Sequence, residues 1–308
     1  MSVRAALKPL LWGPLLALLR VSSRRAGLVL IYHDVGDRDG DRRRELVPPI
    51  SRARLRRQLG HLRRHYRIVE LMDLPAAVVA RRRGARFPVA LTFDDDLGHH
   101  VSHALPELRA AEAPATFFLC GSFLEGPPRE YWWQRLQRAV DGGADVAPLV
   151  GPGTIHQQGC VMEALAPEQR DAVSDELEGL APAMVASDLL TMQDASQLPH
   201  IGFHTVRHDP LTRLDDEQLA NALVDGRAGL AEVAGHHVDA IAYPHGHFDS
   251  RVMTAARRSG FVIGVTVERQ PVTPSTDPLA MGRYEPPFRG TTGLFAFEVV
   301  RTLLTARS

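Results

Sequence analysis

Three carboxylates stand side by side at Asp94, Asp95 and Asp96, directly after the apolar run Val89–Phe93. That run is short, apolar and partly β-branched, the pattern of a buried strand. Like charges crowded at the end of such a strand raise one another's pKa, and the cost falls if a cation sits among them. A single Asp would be explained as a helix cap favoured by the helix dipole. Three in a row point instead to a metal site or to a carboxylate poised as a base. A second group, His204 and His208, follows the apolar segment His200–Phe203. Its spacing alone says little, because His61/His65 and His99/His103 repeat it. Context separates the pairs: His61 and His65 lie in an arginine-rich helical pattern with no carboxylate nearby, whereas His204 and His208 follow a strand end, as the aspartates do. Two imidazoles and a carboxylate make a three-ligand site with a position left for water, and a second aspartate beside it can act as general base.

The elements that must position these residues alternate regularly. Strands are expected at Leu28–His33, Ile68–Leu71, Val89–Phe93, Ala115–Leu119, His200–Phe203, Ala240–Tyr243 and Phe261–Val267. Between them, helical spacing predicts helices that include one capped by Ser51 and carrying Leu55, Leu59, Leu62 and Tyr66, then His100–Ala111, Asp215–Ala234 and Ser250–Ser259, with Gly293–Leu304 last. Residues 124–196 break the rhythm and read as an insertion. It opens on the turn signal Gly126-Pro127-Pro128 and carries Tyr131-Trp132-Trp133, a loop-like stretch from Gly142 to Gly159, and a polar helix from Pro167 to about Met184. Its aromatics suit either stacking on sugar rings or anchoring to the core. The prolines at 271, 274, 278, 286 and 287 mark an irregular segment. Seven strands alternating with helices argue for a parallel sheet, and polar motifs at several C-terminal strand ends favour a barrel over an open sheet.

Length and composition agree with a large α/β domain. The chain has 308 residues, 44% of them hydrophobic, and a formal net charge of zero, so charge gives no case for nucleic-acid binding. Cys120 and Cys160 form no zinc-type spacing. Residues 1–25 form a separate apolar and basic segment ahead of a domain spanning 26–308. The run Pro9–Leu19 is too short to cross a bilayer comfortably, and arginines rather than a small-residue cleavage site follow it. A signal-like core, a membrane-surface helix with basic flanks and a helix packed on the domain all fit, which leaves a cytoplasmic or membrane-peripheral location.

Thr92-Phe93-Asp94-Asp95 resembles the T-F-D-D motif of the polysaccharide deacetylases, the NodB-homology carbohydrate esterases. His204-Thr205-x-x-His208-x-x-Leu211 resembles their H-[ST]-x-x-H-x-x-L metal motif, Tyr243-Pro244-His245-Gly246 part of their R-x-P-[YF]-G motif, and Leu30–His33 the Y-H segment that opens many bacterial members. The likeness spans about residues 28 to 285. It implies an α/β fold, a distorted (β/α)7 barrel of the NodB-homology type with an inserted helical segment. It implies Asp94 as catalytic base and Asp95, His204 and His208 as ligands of one divalent metal ion, with Zn²⁺ the expected one. Tyr243, Pro244 and His245 would form the substrate and oxyanion side, the His245 N–H facing the oxyanion. The implied reaction is hydrolysis of an N-acetyl group on a carbohydrate.

The chain departs from that pattern in three places. Asp96 replaces the usual glycine, Ala242 replaces the arginine that orients the base, and a late L-x-H motif is missing. Arg283 is the candidate substitute for the arginine. For the missing proton donor His33 is preferred, because it directly ends a strand, with His247, His99 and His100 as the other candidates. The competing readings are an amidase or deacylase of the same fold on a non-sugar substrate, and a non-catalytic glycan-binding descendant.

Overall fold

The computed structural model describes residues 3–124, 130–181 and 188–306. Its strands are β1 (Leu28–Tyr32), β2 (Val35–Gly36), β3 (Ile50–Ser51), β4 (Arg67–Ile68), β5 (Pro88–Asp94), β6 (Thr116–Leu119), β7 (Ile201–Phe203), β8 (Ala240–Ala242), β9 (Ile263–Val265) and β10 (Arg283–Tyr284). All pairings between them are parallel, and seven run in the order β10-β1-β5-β6-β7-β8-β9. A bridge between Val265 and Met281 brings the two edges together, so the sheet is a nearly closed barrel. This is the distorted (β/α)7 barrel the sequence implied. Every residue of β1 and β5 is buried, because helices cover the outside and side chains fill the inside. That two-sided burial is why both strands read as continuous apolar runs rather than alternating ones. Their register pairs Leu28 with Val89 and Tyr32 with Phe93, so His33 and Asp94 follow at the same rim.

The identity of the seven strands differs from the sequence reading in one place. The segment expected at Ile68–Leu71 contributes only Arg67–Ile68, which pairs with β5 outside the ring. The seventh place belongs to Arg283–Tyr284, inside the proline-rich segment read as irregular. A two-residue strand has too little periodicity to register in sequence. The helix expected over Asp215–Ala234 is two, Asp216–Val224 and Arg227–Ala234, broken at Gly226. Gly226 has φ of 75°, and a Cβ there would lie 2.5 Å from the Gly121 Cα, so the chain turns where two backbones touch.

In the 124–196 region the helices Trp132–Asp141, Ala147–Val150, Ile155–Ala164 and Pro167–Leu180 enclose a satellite core that includes Leu136, Val146, Val150, Ile155, Met162 and Leu177, while Met192–Ala195 sets Ala195 in the main core. The stretch from Gly142 to Gly159 is thus not all loop. Thr154 and Gln157 form a reciprocal capping box that starts a helix there. The Gly126-Pro127-Pro128 turn signal lies outside the described residues, and the helix expected to reach about Met184 ends at Leu180, where Ala181 turns to extended backbone. At the N-terminus the helix Val3–Arg20 packs beside the helix Thr292–Leu304, with Leu16 and Leu19 in the main core. Trp12 meets His61 and His65 edge-on at 4.7 and 4.8 Å. Among the described residues no helix is long and apolar enough to cross a membrane.

Burial drives the pKa of His61 and of His100 down to about 4. Unfolded, each titrates near 6.5. Between those values the unfolded chain binds more protons than the folded one, so their contribution to stability is complete above about 6.5 and is lost as pH falls toward about 4. His61→Phe keeps ring contacts with Trp12 and Phe295 but cannot charge. The urea midpoint of this variant is expected to depend less steeply on pH across that window than the parent's. Parallel slopes would mean His61 is not held neutral by its burial.

Candidate metal centre and active-site pocket

Asp94 is the last residue of β5 and is almost completely buried. Arg283, the first residue of β10, reaches across the barrel to it. Its two terminal nitrogens donate to Oδ1 and Oδ2 of Asp94 at 2.7 Å each, and its Nε donates to the Thr266 carbonyl at 2.8 Å. Burial alone would push the Asp94 pKa up. The guanidinium, and next His204, outweigh burial and hold the carboxyl below its ordinary value. Arg283 therefore supplies the charge missing at Ala242, from the opposite end of the chain.

Asp95 turns into the pocket through a left-handed backbone, φ 76°. Its Oδ1 lies 3.6 Å from Nε2 of His204 and 3.6 Å from Nε2 of His208. Two ligands about 2.0–2.2 Å from a tetrahedral ion stand roughly 3.3–3.6 Å apart, so these separations suit a shared cation. Ligand atoms of all three residues lie within 4.8 Å of one another. The tautomer of His204 is fixed as well: its Nδ1 donates to the Ala242 carbonyl at 2.8 Å, which leaves Nε2 with a free lone pair. The buried Asp95 Oδ1 has no hydrogen-bond partner among the described residues. Burial, then the charges of Asp94 and Asp96, raise the Asp95 pKa well above its ordinary value, whereas burial lowers His204 to about 4 and holds His208 well below the ordinary imidazole value. Two neutral imidazoles beside a carboxyl with an orphaned oxygen, whose ionised form lacks a compensating charge, are a set of residues that fits a divalent cation.

Asp96 points away from this cluster. It accepts from the Cys120 N–H at 2.9 Å and from the Tyr131 hydroxyl at 2.8 Å. Burial pushes its pKa up to about 6 against the pull of those donors. Tyr131 stacks on Trp133 with ring centroids 4.1 Å apart, and Trp133 meets the His208 ring at 4.7 Å. The third aspartate thus ties the first helix of the insertion to the barrel and presses an aromatic pair against a candidate metal ligand. The aromatics of 131–133 divide accordingly: Trp133 is buried against Tyr131, and Trp132 stays half-exposed on the pocket wall.

The pocket has a volume of about 270 Å³. Asp94, Asp95, His204, His208, Arg283 and His33 all face it. His33 is half-buried, and burial lowers its pKa. His99 and His100 lie outside the pocket, bonded to Asp34 and to the His33 carbonyl, and His247 is also outside. Tyr243 reaches the pocket, but its hydroxyl donates to the Leu279 carbonyl at 2.8 Å, over Gly264, where a Cβ would sit 2.5 Å from that oxygen. Pro244 is buried at the start of the following turn. His245, at φ 56°, places its Nδ1 2.7 Å from Glu163 Oε1 and leaves a buried Nε2 without a partner among the described residues. Glu163 comes from the insertion helix Ile155–Ala164, and no local motif singles it out.

The buried Arg283–Asp94 pair gives a direct test. Arg283→Met would strand a buried carboxylate, at a cost of about 3–5 kcal/mol. Adding Asp94→Asn should recover most of that loss, because the uncompensated charge is gone. Urea unfolding of the two single variants and the double variant measures the coupling, and additive losses would contradict a direct pair.

With this geometry in place, comparison with known proteins is informative. A sequence profile of the polysaccharide deacetylase family matches residues 81–148 and 174–264, more than half of the chain. Its break, 149–173, falls inside the helical insertion. The chain resembles the Streptococcus pyogenes deacetylase PplD in complex with acetate at 16% identity, with 90% of this chain and 98% of that one covered and a TM-score of 0.62. It resembles a de-N-acetylase from Aggregatibacter actinomycetemcomitans at 16% identity, covering 88% and 99%, TM-score 0.59. IcaB from Ammonifex degensii aligns at 20% identity, covering 89% and 97%, TM-score 0.55. At such identities these likenesses are of fold. No curated protein matches the sequence significantly.

Proposed function

Since the chain belongs to the polysaccharide deacetylase family, we propose that it is a metal-dependent hydrolase that removes N-acetyl groups from an N-acetylated glycan or sugar intermediate. One observation carries this reading: Oδ2 of Asp94, a carboxylate clamped by Arg283, lies 4.0 Å from Nε2 of His204, beside the Asp95–His204–His208 cluster. A base and a three-residue metal site thus share one pocket.

Asp95, His204 and His208 would hold one divalent cation, with Zn²⁺ expected for two imidazoles and a carboxylate. When bound, the cation supplies Lewis acidity to an amide carbonyl and to water. Asp94 is the proton acceptor. Arg283 occupies one lone pair on each of its oxygens and keeps it ionised, so a proton arrives at the remaining lone pair of Oδ2. His33, across the same pocket, is the proton donor to the leaving amine. The His245 N–H stands on the oxyanion side, and the Glu163 carboxylate steadies the His245 ring. Half-exposed Trp132 offers a face to the CH surface of a sugar.

Acetate release from N-acetylated oligosaccharides by the metal-loaded protein tests the reading. Asp94→Asn should keep metal and fold and lose about 100-fold or more in turnover. Unchanged turnover would remove Asp94 as the base. His33→Gln should lower turnover and abolish the alkaline limb of the kcat–pH profile at unchanged metal content. A profile with both limbs intact would exclude His33 as the donor.

A further inference from the structure

The helix Val3–Arg20 buries one stripe and leaves another uncovered. Leu16 and Leu19 enter the main core, with Trp12 and Leu15 packed against it. Along the edge of that stripe Leu11 is 48% exposed, Leu18 69% and Val21, just past the helix, 51%. The inner stripe is covered by the barrel and its helices, and the outer edge is left open among the described residues.

The segment that carries this stripe has charge of one sign. Residues 1–33 contain no Asp or Glu. Arg25 follows the helix and is exposed. Arg57 and Arg64, also exposed, lie on the helix Arg52–His65, within one turn of His61, which Trp12 touches. None of these three arginines has a carboxylate partner among the described residues, although every other arginine of the same helix finds one: Arg52 and Arg56 pair with Glu107, Arg54 with Asp39, and Arg63 with Glu112. Arg20 and Arg24 are engaged differently, on the His65 carbonyl and on carbonyls at the end of the helix Thr292–Leu304. Cations without a carboxylate partner therefore lie just past this helix and on the helix that Trp12 packs against.

We propose that this face docks on an anionic membrane surface, the outer leucines entering the headgroup boundary and Arg25, Arg57 and Arg64 meeting acidic lipids. An amphipathic helix with basic flanks lying in the plane of the interface combines these two forces. A nucleic acid would match the arginines and leave the leucines in water; a second copy of the chain would oppose arginine to arginine. The helix does not need to span the bilayer, and it keeps its packing on the barrel while bound.

Co-sedimentation of the full chain with vesicles tests this. Binding is expected to vesicles of phosphatidylglycerol with phosphatidylcholine, to be weak with phosphatidylcholine alone, and to fall with added salt. Replacing Arg57 or Arg64 by Gln should weaken binding about fivefold each. Leu11→Glu with Leu18→Glu should weaken it by about tenfold or more, and the milder pair Leu11→Ser with Leu18→Ser should do so in the same direction. Both leucine pairs should keep the parent's thermal midpoint and elution volume. Equal binding to both vesicle types, no binding, or unchanged binding of the leucine pairs would overturn the proposal. So would a parent dimer that the leucine pairs disperse, or duplex DNA binding without vesicle binding.

Discussion

Arg283 holds both oxygens of Asp94 at 2.7 Å inside the barrel, and the rest of the site is arranged around the charge balance this creates. Three successive carboxylates end one buried strand, and each is accommodated differently. Asp94 has a full cation. Asp96 has two neutral donors, the Cys120 N–H and the Tyr131 hydroxyl, and its pKa stays near 6. Asp95 has neither. Its oxygen faces two imidazoles kept proton-poor by burial, so no protein group neutralises it. A divalent cation would complete that balance. On the proposed reading the same division separates roles: the clamped carboxylate takes a proton, the unclamped one binds metal, and the third holds the scaffold.

Backbone strain concentrates at the same place. Among the described residues, five non-glycine positions have positive φ, and four of them are Asp95, Thr205, His208 and His245. Each such residue costs on the order of 1–2 kcal/mol. The His208 N–H donates to the Thr205 hydroxyl at 3.1 Å, which fixes the tight turn between the two histidines. Side chains leaving one rim are thereby redirected toward a common point. Tyr131 and Trp133 then back His208 from outside, so a helical insertion far along the chain shapes the metal cluster.

Legibility in the sequence followed the range of each interaction. β1 and β5 were readable because two-sided burial demands long apolar runs, and the aspartates and histidines because they directly follow strand ends. Ser51 was readable as a cap, and its hydroxyl does accept from the Arg54 N–H. The seventh barrel strand was not readable, since two residues carry no period. Neither was the split at Gly226, which depends on contact with Gly121, nor the pairing of Asp96 with Tyr131 and of His245 with Glu163, both from the insertion. Arg283 could be guessed only because Ala242 left the base without a cation. Position in the barrel, not neighbours in the chain, decides such pairings.

The central claim is that Asp95, His204 and His208 form one cation site that the fold has built in advance. X-ray absorption at the zinc edge, on protein loaded with one equivalent of Zn²⁺, tests it most directly. The account predicts a low-coordinate nitrogen and oxygen shell with the outer scattering of two imidazoles, and the loss of one imidazole in His208→Ala. A sulfur-containing shell, a shell without imidazole, or a spectrum unchanged by that substitution would contradict it.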